Sequence, residues 1–398
     1  MNLDQIKKQI LEKENDFIAI RRQLHQYPEL GMKEYKTSNF VYQTLKSFGL
    51  KNIKRTGHTG LVAVIGNDYD NCVAIRADMD GLAIEEDNDS AYKSKIPGLM
   101  HACGHDLHTT ALLAAAYIFH KNQKDLKGCV KLIFQPGEEV AKGAKYMIDQ
   151  GVLRDQPVPK CIFGLHSYPY ISAGKVYHRH GKMGASSDRF IIKVLGKSGH
   201  AAHPEKAVDP ILIASHIVLG LQEIVSREIS ATDQAVITVA SIQAGQTSNL
   251  IPESALIKGS IRCLDEDIRA FVHQRIDQVA KALAQGFRGQ AQVQINKGIP
   301  VSYNDPVLSK KIEAALIKAL GKDKYIYNPE PTMGSEDFAY YGAYLPSAMY
   351  RLGTGFEDRE NYPLHSKDFS LNDQAVKTGI LSMVAVALEL LQTYKGEE

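Results

Sequence analysis

The sequence predicts an α/β protein with a second, smaller domain inserted into the first. Three observations carry this expectation. Short apolar runs alternate with amphipathic stretches up to about residue 165, the pattern changes to β-α-β-β-α-β between about 185 and 300, and the first pattern resumes after Pro300. A chain of 398 residues is also long for a single core. The expected organisation is a domain of residues 1–184 and 301–398, with a mixed, partly parallel sheet flanked by helices. Into it is inserted an α+β domain of residues 185–300 in the split βαβ, or ferredoxin-like, arrangement.

Taken in order, residues 1–50 read as two helices. The first ends near "RRQLHQYPELG", where Pro28 and Gly31 break it. The second covers about 35–48, with Phe40, Val41, Leu45 and Phe48 at helical spacing and Gly49 as its stop. Strands follow at 61–65 and 72–76, then a helix at 107–120, a strand at 130–134, a helix at 143–150 and a strand at 161–165. Composition shifts near 183–188. Beyond that point come a strand at 190–194, a helix at 208–227, strands at 235–242 and 255–262, a helix at 265–286 and a strand at 291–295. There is no internal repeat and no low-complexity tract.

Hydrophobic residues make up 44% of the chain and charged residues 23%, as in ordinary globular proteins. A formal charge of +2 with scattered basic residues argues against a nucleic-acid surface. The N-terminal "MNLDQIKKQILEKENDF" is charged and amphipathic, unlike a signal peptide, and no apolar run reaches the roughly 18 residues that span a bilayer. The cysteines Cys72, Cys103, Cys129, Cys161 and Cys263 are an odd, sparse set without a leader, so the expectation is a reducing cytoplasm and no disulfide framework. All but Cys103 sit in apolar runs and read as core thiols.

Cys103 lies in "GLMHACGHDLHTT", where His101, His105, His108 and Asp106 crowd around it. Because the stretch precedes a helix, the thiol is expected near a positive helix end that favours thiolate. Ligands in open α/β sheets bind beyond the carboxyl ends of strands. Here "NCVAIRADMDGL" leads from a strand into Asp78 and Asp80, "VKLIFQPGEEV" into Glu138 and Glu139, and "CIFGLHSYP" into His166. The run "SAMYRLGTG" is followed after a loop by "NYPLHSKDF" and His365. Cys103, His105, Glu139, His166 and His365 therefore converge in principle. Thiolate, imidazole and carboxylate together make a ligand set for divalent transition metals: zinc, nickel or cobalt before magnesium or calcium, with manganese also admitted. Five ligands exceed one open tetrahedral site, and with Cys103 as a bridge they suffice for two ions roughly 3.5–4 Å apart.

At these motifs the chain resembles the amidohydrolase branch of the aminoacylase and carboxypeptidase-like two-metal hydrolases, which includes hippurate hydrolases, bacterial N-acyl-amino-acid hydrolases and plant auxin-conjugate hydrolases. The matching segments are "RRQLHQYPELG", "AIRADMDGL", "MHACGHDLHT", "FQPGEE", "GLH", "GKSGHAAHPE", "SNLIP", "GSIR", "GSEDFAYY" and "LHS", in family order over nearly the whole chain. The segment "MGASSDRFIIKVLGKSGHAAHPEKAVDPI" looks most like hippurate hydrolases. The resemblance implies two metal ions at the same five residues, Glu138 as catalytic base, and an inserted domain that serves as a lid and forms a homodimer. It also implies that His200 stabilises the oxyanion, in the partner subunit's site. Many relatives carry "PAEE" where this chain has Pro136-Gly137-Glu138-Glu139, a change expected to alter loop freedom more than chemistry.

The expected reaction is hydrolysis of the amide of an N-acyl or N-aroyl amino acid, a small-molecule substrate, to a carboxylic acid and a free amino acid. Divalent ions lower the pKa of water to about 7. Glu138 would take the proton and pass it to the leaving nitrogen, a role worth roughly 10²–10⁴-fold. Asp78 and Asp106 are candidates to fix histidine tautomers, or equally turn and cap residues. His101 and His108 could support the same shell, whereas His25, His120, His203, His216 and His273 are given no role. Arg262 stands either as a clamp on the substrate's α-carboxylate or as a strand-end salt bridge. Asn249, Gly334 and Ser335 are read as substrate-binding, while Glu336 and Asp337 could cap the following helix.

Three other functions are weighed. A dipeptidase or a biosynthetic N-acetyl-amino-acid deacetylase would use the same metals. A Cys103 nucleophile with His105 as base leaves three ligands unexplained. A zinc-storing or peptide-binding module would need no Glu138.

Overall fold

The structure is a computed structural model, and residues 1–394 are described. In chain order the elements are α1 (Leu3–Gln26), α2 (Tyr35–Ser47), β1 (Ile53–Thr56), β2 (Gly60–Gly66), β3 (Cys72–Asp78), α3 (His105–Lys121), β4 (Cys129–Gln135), α4 (Gly143–Asp149), β5 (Ile162–Ser172) and β6 (Val176–His178). They continue with β7 (Gly181–Gly184), β8 (Ser187–Leu195), β9 (Gly199–His200), α5 (Pro210–Glu223), β10 (Ala235–Ala244), β11 (Leu250–Ile251), β12 (Ser254–Cys263), α6 (Glu266–Gly286) and β13 (Gln290–Ile299). The last are β14 (Ser302–Asn304), α7 (Pro306–Leu320), β15 (Tyr325–Tyr327), β16 (Ser347–Gly355) and α8 (Gln374–Thr393). Two compact units result. Among the described residues the first comprises Met1–Gly181, Tyr303–Pro329 and the chain from Tyr340 onward, and the second Lys182–Ser302 with Glu330–Ala339.

The first unit is built on one sheet with strand order β1-β2-β4-β3-β5-β16-β6-β15. Its centre is parallel, β3 with β4 and β5, and β5 with β16, while β1, β2 and the β16–β6 pair run antiparallel. This is the mixed, partly parallel sheet expected from the alternating pattern. Successive side chains of a strand point to opposite faces. One face carries Val73, Ile75, Leu132, Phe134, Phe163, Leu165, Tyr350 and Leu352 into a core shared with Leu112 and Ala115 of α3 and Ile380 and Val384 of α8. The alternate residues Arg76, Asp78, Gln135, His166 and Arg351 occupy the other face, and that face carries the chemistry.

Helix α8 is long and apolar enough, by length and composition, to cross a membrane, although Lys377 and Glu389 interrupt its apolar run. Of its most apolar window 72% is buried within the protein, as in a central core helix.

In the second unit the order β10-β12-β8-β13 is antiparallel throughout, and the chain order β8-α5-β10-β12-α6-β13 is the split βαβ topology. Phe190, Ile192, Val194, Ile257 and Ile261 pack on Ile213, Ile217, Leu221, Val272 and Ile276 of the two helices. Asp209 and Asp265 cap those helices, each accepting two backbone N–H groups. The helical spacing read over 208–227 is one α-helix to Glu223 followed by a π-helical turn, Ile224–Glu228. Strands β1, β6, β9, β11 and β15 escaped the sequence reading because two to four residues are too few to show a period.

Candidate metal centre

Cys103 and His105 converge because of the glycine between them. Gly104 takes φ +83 at the start of α3, and a Cβ there would lie 2.6 Å from Ser167 Oγ. With that tight turn the Ser167 hydroxyl donates to the Cys103 carbonyl at 2.5 Å, tying the turn to β5. His105 then opens the helix with its Nδ1–H donating to the Asp80 carbonyl at 3.0 Å and to Asp80 Oδ1 at 3.1 Å. The other oxygen of Asp80 accepts the Glu139 backbone N–H at 2.9 Å. One aspartate therefore sets both a histidine and the turn that carries Glu139.

Asp78 holds a different histidine. The Ser167 N–H donates to His108 Nε2 at 2.7 Å, so the His108 proton is on Nδ1, where it donates to Asp78 Oδ1 at 2.6 Å. Arg76 donates to Asp78 Oδ2 at 2.6 Å, and His105 Nε2 lies 3.6 Å from the same oxygen. Asp106, read as either a tautomer-fixing carboxylate or a turn or cap residue, bonds none of the ligand-candidate histidines. It accepts from Arg21 and His25, each at 3.0 Å, and His25 reaches Glu86 at 3.1 Å. His101 is buried at 6.3 Å, ring to ring, from His25, and burial pushes it down to about 4.

His166 donates from Nδ1 to the Ser167 carbonyl at 2.8 Å, which turns its Nε2 to within 3.5 Å of Cys103 Sγ. His365 sits at φ +64 with its N–H bonded to the Ala102 carbonyl at 2.9 Å, so its loop is fixed to the turn before Cys103. Its Nε2 lies 3.4 Å from Glu139 Oε1. Ligand atoms of Cys103, His105 and His166 fall within 4.8 Å of one another, as do those of Cys103, Glu139 and His365, and those of His105, Glu138 and Glu139. Glu138 is buried. Gly137 before it takes φ +63, a backbone conformation that residues with a Cβ rarely adopt, and a Cβ would also press on the Met32 side chain at 2.6 Å, so the glycine in "PGEE" acts first on the backbone of the loop.

The charges show what such a cluster lacks. Burial pushes the Cys103 thiol up, and the adjacent His105 only partly offsets it. Burial would raise Asp78 and Glu139, but their histidine neighbours, with Arg76 for Asp78, hold both carboxyls below their usual range. His365, close to Cys103 and Glu139, is pushed up to about 10 by them, while burial and His108 hold His166 well below its usual value. Among the described residues, two buried atoms that point into the group, His105 Nε2 and Glu139 Oε1, complete no well-formed hydrogen bond. Orphaned acceptor atoms facing a thiol, imidazoles and carboxylates fit divalent transition ions, which would displace the shared protons.

In the second unit His200 and Leu250 are cross-strand partners, and Ala201 N–H donates to the Asn249 carbonyl at 3.1 Å, so His200 and Asn249 are neighbours. The Ala202 N–H donates to His200 Nδ1 at 3.1 Å, leaving the proton of the neutral ring on Nε2. Arg262 donates to Ser335 Oγ at 2.9 Å, and the Gly334 carbonyl accepts Ala185 N–H at 2.9 Å, so the other predicted substrate residues are also assembled within one unit. His273 bonds Asp188 and has the structural part expected of it. Asp80, Ser167 and Gly104 are the contributors that carried no assigned role in the sequence; the only signal was the position of Asp80 just past a strand end.

Residues 74–389 match the model of peptidase family M20/M25/M40. The chain is 37% identical to a hippurate hydrolase from Campylobacter jejuni over 390 residues, 96% of this chain and 99% of that protein. It is also 37% identical to an N-acetyl-L-cysteine deacetylase from Bacillus subtilis over 369 residues, 92% of this chain and 86% of that protein. Among solved structures, a dinuclear metal-binding peptidase of the M20 family from Bacillus subtilis superposes with a TM-score of 0.83 at 31% identity, covering 96% of this chain and 99% of the other. With a family model that spans most of its length and full-length relatives that cleave amides by name, the chain belongs to peptidase family M20/M25/M40 and is a metal-dependent amide hydrolase.

Proposed function

We propose that the protein hydrolyses N-acyl or N-aroyl amino acids to a carboxylic acid and a free amino acid. Cys103, His105, Glu139, His166 and His365 hold two divalent ions, zinc, manganese, nickel or cobalt. The observation that carries this reading is that Cys103 Sγ belongs to two donor groups at once, one with His105 and His166 and one with Glu139 and His365. A thiolate common to both groups would let the five residues hold two ions. When bound, the ions supply an acidified water and polarise the amide carbonyl.

The chain's own residues do the rest. Glu138 takes a proton from water and delivers it to the leaving nitrogen. Asp80 keeps the His105 proton on Nδ1 so that Nε2 remains a ligand, and Asp78 does the corresponding service for His108, whose Nε2 accepts from the strand that carries His166. His200, protonated on Nε2, supplies a donor to the developing oxyanion, in a homodimer across the subunit boundary, with the second unit as a lid. Arg262, held by Ser335, faces the α-carboxylate, and Asn249 and Gly334 complete the substrate contacts.

The names of the relatives support an acyl-amide substrate and leave the deacetylase reading beside it. The test is a panel of N-benzoyl, N-acetyl and dipeptide substrates run with each metal. Release from N-acyl amino acids, abolished by chelator and restored by ions, is expected. A Cys103→Ala protein that keeps both ions, or no turnover of any N-acyl amino acid with any metal, ends this reading.

A further inference from the structure

The loop between α1 and α2 holds a buried carboxyl group that the reaction above does not use. Glu34 is fully buried and stands immediately before α2, yet its side chain makes no capping bond to that helix. One of its oxygens accepts two backbone N–H groups instead: that of Met32 at 2.9 Å, in its own loop, and that of Gly137 at 2.7 Å, 103 residues away. The other oxygen accepts the Thr59 hydroxyl at 2.7 Å. Gly137 opens the turn that carries Glu138 and Glu139, and the Glu139 N–H donates to Asp80 at 2.9 Å. Glu138 therefore stands between two backbone N–H groups, each fastened to a buried acidic side chain from elsewhere in the chain.

The loop that carries Glu34 is itself tied to the second anchor. The Gly81 N–H donates to the Glu29 carbonyl at 2.8 Å, and Leu30 bridges to Gly81, just past Asp80. A Cβ on Gly31 would lie 2.9 Å from Asp80 Oδ2 and 3.1 Å from Gly137 Cα, so this loop presses on both ends of the arrangement. Peptide units are planar, so fixing the units before Gly137 and after Glu138 leaves the short stretch between them little freedom. The direction in which Glu138 projects is set by the two anchors. Burial pushes the Glu34 carboxyl up, and Thr59 only partly offsets it. A buried acid is a poor way to gain stability alone, because desolvation opposes its charged form.

We propose that Glu34 is a positioning residue for the hydrolysis: its oxygen fixes the Gly137 amide and thereby aims Glu138. This rests on the hydrolase reading, with Glu138 as the base. The test compares two ways of loosening the same carboxyl group. Glu34→Ala removes the oxygen that holds Gly137, whereas Thr59→Val removes only the bond to the other oxygen. In each variant kcat and KM for the best N-acyl amino acid of the panel, metal content, Tm and amide hydrogen exchange over residues 136–142 are measured.

Glu34→Ala is expected to lower kcat by about 10- to 100-fold with KM within about threefold of wild type. Exchange in the turn should quicken, and metal content should hold because Asp80 still fastens the Glu139 amide. Thr59→Val is expected to lower Tm and leave kcat and exchange at wild type. Glu34→Gln, whose amide oxygen accepts the same two N–H groups, is expected to recover most of kcat. Wild-type kcat in Glu34→Ala, a loss there that added metal restores, an equal loss in Thr59→Val, or no recovery in Glu34→Gln overturns the proposal. If the alanine variant does not fold, the wild type decides: a slowly exchanging Gly137 amide supports the anchor, and a fast one overturns it. If the wild type turns over no N-acyl amino acid, the hydrolase reading has failed. Exchange then judges the anchor by itself, and equal protection of the turn in wild type and Glu34→Ala overturns it.

Discussion

Each unit buries a carboxylate among histidines and arginine, and the two clusters differ in how their polar atoms are satisfied. In the second unit Asp188 is fully buried, and all its capacity is used: Oδ1 accepts from Arg269 at 2.6 Å and from the Gly298 N–H at 2.8 Å, and Oδ2 from Arg269 and His273, each at 2.8 Å. In the first unit Asp80, Asp78 and Ser167 fasten the far sides of His105 and His108, yet among the described residues His105 Nε2 and Glu139 Oε1 complete no well-formed hydrogen bond, with His365 Nε2 at 3.4 Å from Glu139 Oε1 and Asp78 Oδ2 at 3.6 Å from His105 Nε2. The ingredients are alike. A closed count of donors and acceptors marks a cluster that holds a fold, and a count left open on one side marks a cluster that waits for a ligand.

Substitutions separate the two. The largest effect is expected from Glu138→Gln, which should cost about 10²–10⁴-fold in kcat while metal content, measured by elemental analysis, stays at the wild-type level. Comparable turnover would remove Glu138 as the base. Asp188→Asn is expected to do the reverse: about 3–5 kcal/mol of stability lost in a denaturant melt, because Arg269 keeps its buried charge without a full partner, and metal content unchanged. If that variant also loses metal, the two clusters are not independent.

Chelation probes the open cluster alone. Removing ions that were held at 100- to 1,000-fold above their Kd should withdraw about 3–4 kcal/mol of stability, seen as a lower Tm that divalent ions restore. The Asp188→Asn protein should show the same increment, and a metal-independent Tm in the wild type would leave the orphaned atoms unexplained.

The smallest effect lies in pH. Burial, aided by His180, pushes His178 down to about 3. Below an unfolded-state pKa of about 6.5 the unfolded chain takes up a proton that folded His178 refuses, so stability falls as pH drops through the window from about 6.5 to 3, by about 1.4 kcal/mol per pH unit at most. For Asp188, burial would raise the carboxyl, but His273, Arg269 and Gly298 outweigh it, so its contribution is present at neutral pH and is lost only as pH falls below the ordinary carboxylate range. His178→Gln should flatten the upper window and leave the lower one; an unchanged profile between pH 6.5 and 3 would show that His178 accepts its proton in the folded state.

The five ligand candidates stood out by residue type more than by place: only Glu139 follows closely on a strand, Cys103 and His105 stand at the start of α3, His166 lies within β5 instead of beyond its end, and His365 lies in the loop after β16. The tautomer-fixing reading of Asp106 fails for a reason of geometry: consecutive helical residues diverge by about 100°, so the neighbour of His105 points to Arg21 and His25 instead of to the metal group. Asp80, two residues past β3 in the run that also holds Asp78, was visible only as a strand-end carboxylate, and its two-sided grip on His105 and Glu139 depends on where two other loops come to rest.

The order of hydrophobic and polar residues by itself determined the α/β class, the split βαβ insertion and the residue types able to bind metal, because these depend on local period and on side-chain chemistry. Tertiary structure alone decided which histidine nitrogens stay bare and that Asp188 is closed off while Glu139 is not. Those depend on register between strands that are distant in sequence, and no local pattern encodes register.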